Sequence, residues 1–171
     1  MLKRTLMTLF AAATLAGCGP FWVDPYITVK ESPLNWVEIH YYNMNRKPYR
    51  RISVLVMGSG HVELKKGTSD RVSNDFAKHT DDAEWENFRT QRVSIDPKHA
   101  NDIFQHLVNY GLLDREKSFR GSDKDEYDRF IAVKANVSNY TYSQPDNIYE
   151  VDPDLAEQLY DVIREFDNPT L

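Results

Sequence analysis

Two stretches of the chain, Ile95-Asp96-Pro97-Lys98-His99-Ala100 and Val151-Asp152-Pro153-Asp154-Leu155-Ala156, obey one rule for starting a helix, and they restrict the fold more than any other feature. In each, the aspartate carboxylate can accept the first free backbone amides, and the proline occupies a position where no donor is needed. Ala100, Ile103, Phe104, Leu107 and Val108 then recur at helical spacing, and Gly111 supplies a stop. Behind the second start come Leu155, Leu159, Val162, Ile163 and Phe166, before Asn168-Pro169 ends the pattern. Two helices with one apolar face each must find an apolar surface to cover.

Strand patterns supply that surface. Trp36 to Tyr42 is β-branched and aromatic, with Val37, Ile39 and Tyr41 on one side. Arg51 to Met57 and His61 to Lys65 are joined by Gly58-Ser59-Gly60, a hairpin signal. Another strand is expected around Gln91 to Ile95, whereas residues 67–90 are charged and patternless, with Phe76, Trp85 and Phe88 as their few anchors. The window ISVLVMGSGHVEL from Ile52 lies over IAVKANVSNYTYS from Ile131, and IDPKHANDIFQHLVNY lies over VDPDLAEQLYDVIREF. That correspondence fits either two strand-strand-helix units, the first enlarged after Gly67, or independent convergence of capped helices and hairpins. Both routes predict the same fold class: α+β, an antiparallel sheet with two amphipathic helices on one face.

The N-terminus carries a different message. Lys3 and Arg4 precede an apolar run from Leu6 to Leu15, and small residues lead to Cys18. The order matches a secretory signal. Ten helical residues reach roughly 15 Å, half a bilayer's hydrocarbon core, which is too short for a permanent span. Leu15-Ala16-Gly17-Cys18 resembles the lipobox of bacterial lipoproteins, which implies a diacylglycerol on the Cys18 thiol, cleavage before it, and acylation of the new amino terminus. Gly19 in the next position resembles the pattern of lipoproteins bound to the outer membrane. The expected layout is a signal peptide at 1–17, a lipidated N-terminus and spacer arm at 18–34 with Pro20, Pro25 and Pro33, and a single α+β domain at 35–171. Phe21, Trp22, Tyr26 and Ile27 are too apolar for a free tether, so part of the arm is expected to pack on the domain. The order hairpin, helix, hairpin, helix behind a lipobox also resembles an uncharacterised domain family of bacterial envelope proteins, over roughly residues 50 to 167. That likeness implies the fold and no activity.

Composition bounds the chemistry. Loss of the leader removes Lys3 and Arg4, leaving 19 basic against 26 acidic side chains, so the mature chain carries a formal charge of −7 and no electrostatic reason to bind nucleic acid. Cys18 is the only cysteine, so the fold has no internal disulfide and is held by its core.

Four groups of residues invite a site. His99, Asp102 and His106 share a helical stripe, but one that points away from the apolar face, and metal sites need ligands from other elements. Asp123, Asp125 and Asp128 lie in an acidic run that departs from the twelve-residue calcium loop: Tyr127 takes a ligand position and Lys134 stands where a glutamate closes the loop. Ser59 lacks the spacing of a nucleophile elbow. Tyr140 and Tyr142 share one strand face with Tyr149 nearby, and if that face lies opposite the helices it is an aromatic patch for a protein or glycan partner. The chemistry therefore indicates no catalytic residue, metal or cofactor. The expected function is a lipid-anchored binding or assembly module on the periplasmic face of the outer membrane. The alternative is an envelope hydrolase whose groups converge only in three dimensions, and a third reading is ion-dependent adhesion through residues 121–128.

Overall fold

The computed structural model describes residues 26–114 and 128–168. Strands β1 (Trp36–Asn43), β2 (Tyr49–Met57), β3 (His61–Ser69), β4 (Glu86–Ser94), β5 (Arg129–Val137) and β6 (Tyr140–Gln144) form one antiparallel sheet in the order β4-β3-β2-β1-β5-β6. Helices α1 (Phe76–Thr80), α2 (Pro97–Asn109), α3 (Ile148–Val151) and α4 (Pro153–Phe166) complete the α+β fold. The two hairpins, β2-β3 and β5-β6, flank the central β1; α2 comes after the first with α1 and β4 between, and α4 comes after the second with α3 between. The unpatterned region after Gly67 resolves into the end of β3, helix α1, a single 3-10 turn at Asp82–Glu84, and most of β4.

Strand alternation sends Val37, Ile39, Ile52, Val54, Val56, Val62, Leu64, Ile131, Val133 and Ala135 to one face, where they join the apolar stripes of α2 and α4 in one core. Each large apolar side chain buried there contributes roughly 1.5–3 kcal/mol. The helix starts behave as their sequences require: Asp96 accepts from the Lys98 amide at 2.8 Å and Asp152 from the Leu155 amide at 3.2 Å. At the end of α2, Gly111 adopts φ 92°, which lets the Leu112 amide return to the Leu107 carbonyl at 3.0 Å and buries Leu112.

The described part of the arm is fastened to the domain. Val29 is buried, its amide donates to Gln105 Oε1 at 2.8 Å, and Gln105 Nε2 donates to the Ile27 carbonyl at 3.2 Å. Asn35, also buried, donates from Nδ2 to the Lys30 carbonyl at 2.7 Å and accepts from the Ser138 amide at 2.9 Å, joining the arm to the β5-β6 turn.

The β2-β3 turn shows how tightly this end is built. Gly60 has φ 83°, and a Cβ there would fall 2.2 Å from the Ile95 carbonyl oxygen, just before α2. We expect Gly60→Ala to lower stability by about 2 kcal/mol, through backbone strain plus the clash. A urea midpoint within error of the wild type would show that the turn relaxes freely. No helix among the described residues is long and apolar enough to cross a membrane.

Candidate functional site

The same alternation that fills the core sends the other half of each strand to the opposite face. Register places His40, Ser53, Lys65 and Thr90 in one cross-strand row over β1 to β4, and Glu38, Leu55, Glu63 and Arg92 in the next. These residues are mostly polar, and left alone they would be an ordinary solvated face. Residues 70–85 change that by folding over them as a roof. Phe76 is buried with Tyr42, Phe130 and Ala132 in a second, smaller apolar cluster, and His79 and Trp85 are buried as well.

The roof is pegged by Arg51, whose side chain is fully buried. Its guanidinium lies 3.8 Å from the Trp85 ring centre and 4.9 Å from that of Tyr42. It donates to the His79 carbonyl, at the end of α1, and at 3.1 Å to the Glu84 carbonyl, at the end of the 3-10 turn. A cation is thus held on carbonyl oxygens that two short helical turns leave unpaired. Burial pulls the Arg51 pKa down to about 10, well above neutrality, so the group stays charged.

Two imidazoles stack between sheet and roof, His40 from β1 and His79 from α1, with ring centres 5.2 Å apart. His40 Nε2 donates to Glu38 Oε1 at 3.1 Å, the carboxylate being able only to accept. His79 Nδ1 lies 2.8 Å from the Tyr42 hydroxyl oxygen. Burial lowers the pKa of both rings. For His40 it outweighs the pull of Glu38 in the other direction, and for His79, with His40 and Arg51 adding to it, it brings the value to about 3 despite the carbonyls of Pro145 and Ser73. Both histidines are neutral at pH 7.

Between the roof and the sheet lies a polar cavity of about 220 Å³, lined by both cross-strand rows with His79, Thr80, Asp82 and Trp85. Its charges are largely paired. Lys65 pairs with Asp82 and is caged by Trp85 and Phe88, with Nζ 4.4 and 4.1 Å from the ring centres; Arg92 Nε donates to Glu63 Oε2 at 2.9 Å. Ser53 sits between His40 and Lys65, is less than a tenth exposed, and makes no side-chain hydrogen bond among the described residues.

This constellation was not singled out in the sequence, and the residues that were lie elsewhere. The tyrosine expectation is corrected. Tyr142 pairs with Ala135 and Tyr140 with Val137, both of which face the helices, so the two tyrosines pack half-buried against the main core. Tyr149 is itself buried, under the Arg129 guanidinium at 4.6 Å. These three residues form no exposed patch on the open face, because the pleat assigns their side to the helices.

The stripe on α2 does not stand alone in solvent. His99 Nε2 lies 2.5 Å from Glu165 Oε1 and His106 Nε2 lies 2.7 Å from Gln158 Oε1, both across a groove to α4. Among the described residues no group of three histidine or acidic side chains is placed to hold a metal ion. Asp123 and Asp125 lie outside the described residues, as does Cys18, and the Asp128 carbonyl accepts from the Met44 amide at 2.8 Å beside the start of β5. Gly58-Ser59-Gly60 is the turn its glycines require. No protein-family model matches this chain, and a search of curated proteins finds no match either.

Proposed function

We propose that this chain is a lipid-anchored protein of the bacterial cell envelope, a non-enzymatic binding module whose recognition site is the roofed cavity on the open face of the sheet. The observation that carries the binding half is Ser53, a hydroxyl without a partner among the described residues on the floor of a polar cavity, where a polar ligand would complete it. The anchoring half rests on the signal-like N-terminus ending in Leu15-Ala16-Gly17-Cys18. Two or three acyl chains on Cys18, at about 0.8 kcal/mol per buried methylene, make a firm attachment where one chain binds only marginally. Such an anchor places the domain on the periplasmic face of the outer membrane in a two-membrane cell, within reach of a protein or glycan partner.

Cys18→Ser tests the anchor. In cells, the variant is expected to move from the membrane fraction to the soluble fraction and to lose the lipid mass that intact-mass spectrometry finds on the wild type. Membrane association or lipid mass that survives the substitution overturns the proposal.

One observation favours a hydrolytic second reading: Glu38 orients His40, and Ser53 stands directly opposite His40 on β2. The contact that acyl transfer needs is missing, since the Ser53 hydroxyl makes no hydrogen bond to the imidazole. A fluorophosphonate probe is therefore expected to leave Ser53 unlabelled, and adduct on Ser53 by peptide mapping would move the hydrolase ahead.

A further inference from the structure

The pairing inside the cavity determines what kind of group remains wanted. Its two cations are engaged, Lys65 by Asp82 and the two aromatic rings, and Arg92 by Glu63. The acceptors are not exhausted. Among the described residues only Oε1 of Glu38 is bonded, to a histidine that is neutral; only Oε2 of Glu63 is bonded; and Ser53, a residue nine-tenths buried, makes no side-chain hydrogen bond. Glu38 and Glu63 flank Leu55 in one cross-strand row, with Ser53 beside it along β2, so all three side chains line the same cavity. The lining carboxylates Glu38, Glu63 and Asp82 outnumber Lys65 and Arg92 by one, which leaves one formal negative charge among the lining side chains, the Arg51 charge being held behind Trp85 on the His79 and Glu84 carbonyls.

We infer that the cavity binds a primary ammonium group, held by the carboxylates of Glu38 and Glu63 and the hydroxyl of Ser53. An ammonium supplies three donors, one for each of these acceptors, and the single positive charge that the lining lacks. A carboxylate or phosphate would meet the unneutralised Glu38 and, among the lining residues, no free cation. A neutral alcohol could satisfy Ser53 but would leave the charge unbalanced. The inference rests on the cavity being the recognition site.

The test compares n-propylammonium, n-propanol and propionate, three probes of similar size that differ in charge, against the full-length protein in detergent micelles by calorimetry and thermal shift. The ammonium is expected to bind saturably, with a dissociation constant on the order of millimolar, as so few atoms allow. It should also raise Tm with concentration. Glu38→Gln and Glu63→Gln should each weaken it at least tenfold and Ser53→Ala about threefold, with the far-ultraviolet circular dichroism of each variant unchanged. Should either glutamine variant lose its fold, Glu38→Asp, which keeps the charge but shortens the reach, is expected to weaken the ammonium several-fold. Binding of propanol or propionate as tight as that of the ammonium overturns the ammonium assignment while leaving the cavity a binding site. Ammonium binding that is unchanged in all three variants, or no heat with any probe, also overturns it. The anchoring half of the functional reading fails only if Cys18→Ser stays on the membrane, so the two failures are separable.

Discussion

Arg51→Ala will lower the stability of the domain by about 4 kcal/mol, a drop in Tm of roughly 10 °C for a domain of this size. The substitution removes a fully buried side chain from between Tyr42 and Trp85, leaves the Glu84 carbonyl without its side-chain donor, and leaves the His79 carbonyl only the longer bond from Trp85 Nε1 at 3.3 Å. The stranded Glu84 acceptor costs about 1–3 kcal/mol, and the weakened His79 bond and the void between the rings add to it. Two controls separate these effects. Arg51→Met restores much of the packing but neither hydrogen bond, so it should recover less than half the loss. Arg51→Lys keeps a charge but cannot present a planar fork to two carbonyls and two rings, and should fall between alanine and wild type. Native-state hydrogen exchange should show the amides of residues 76–85 losing protection before those of the main core. Wild-type stability and protection in Arg51→Ala would mean that the roof is held by something other than this peg.

The same cluster makes the fold sensitive to acid, in a window set by His79. In the unfolded chain a histidine takes up its proton near pH 6.5, whereas folded His79 refuses it until about pH 3. Below pH 6.5 the unfolded state therefore binds more protons, and stability that is complete above that value falls by about 1.4 kcal/mol per pH unit until the folded pKa is reached. Between pH 7 and pH 4 the loss from this one ring is about 3 kcal/mol. His40, also shifted downward by burial, adds in the same direction. His79→Phe keeps an aromatic ring in the roof and removes the titration, at the cost of the bond to Tyr42 at neutral pH. Urea midpoints measured at pH 7, 5.5 and 4 should fall much less steeply in the variant, since carboxylates titrate alike in both proteins. Parallel slopes would show that His79 accepts its proton in the folded state at ordinary pH.

What could be read from the chain in advance was whatever is decided by neighbours in sequence. Asp96 and Asp152 cap helices whose stripes follow within one turn, and Gly60 and Gly111 mark reversals that few other residues make. Residues 67–90 have no such local logic. Their shape depends on Arg51 reaching from β2 to the ends of two short turns, and on Tyr42 from β1 meeting His79, contacts over 28 to 37 positions. The tyrosines fail for a related reason: a strand's alternation says that Tyr140 and Tyr142 share a face, and only the pairing with Ala135 and Val137 says which one. Glu38 and His40 were visible as polar breaks on one side of an apolar strand. Their meaning appears only once a roof over that side converts wet surface into enclosure.

The fastening of Ile27 and Val29 to Gln105 sets a leash length. With Cys18 as the lipid attachment proposed above, only nine residue steps separate the acyl chains from the first docked backbone. Fully stretched, they span no more than roughly 30 Å. With that anchor in place, the body of the protein would be confined to a shell one molecule deep above the lipid headgroups, and a ligand of the cavity would have to come to the membrane surface to meet it.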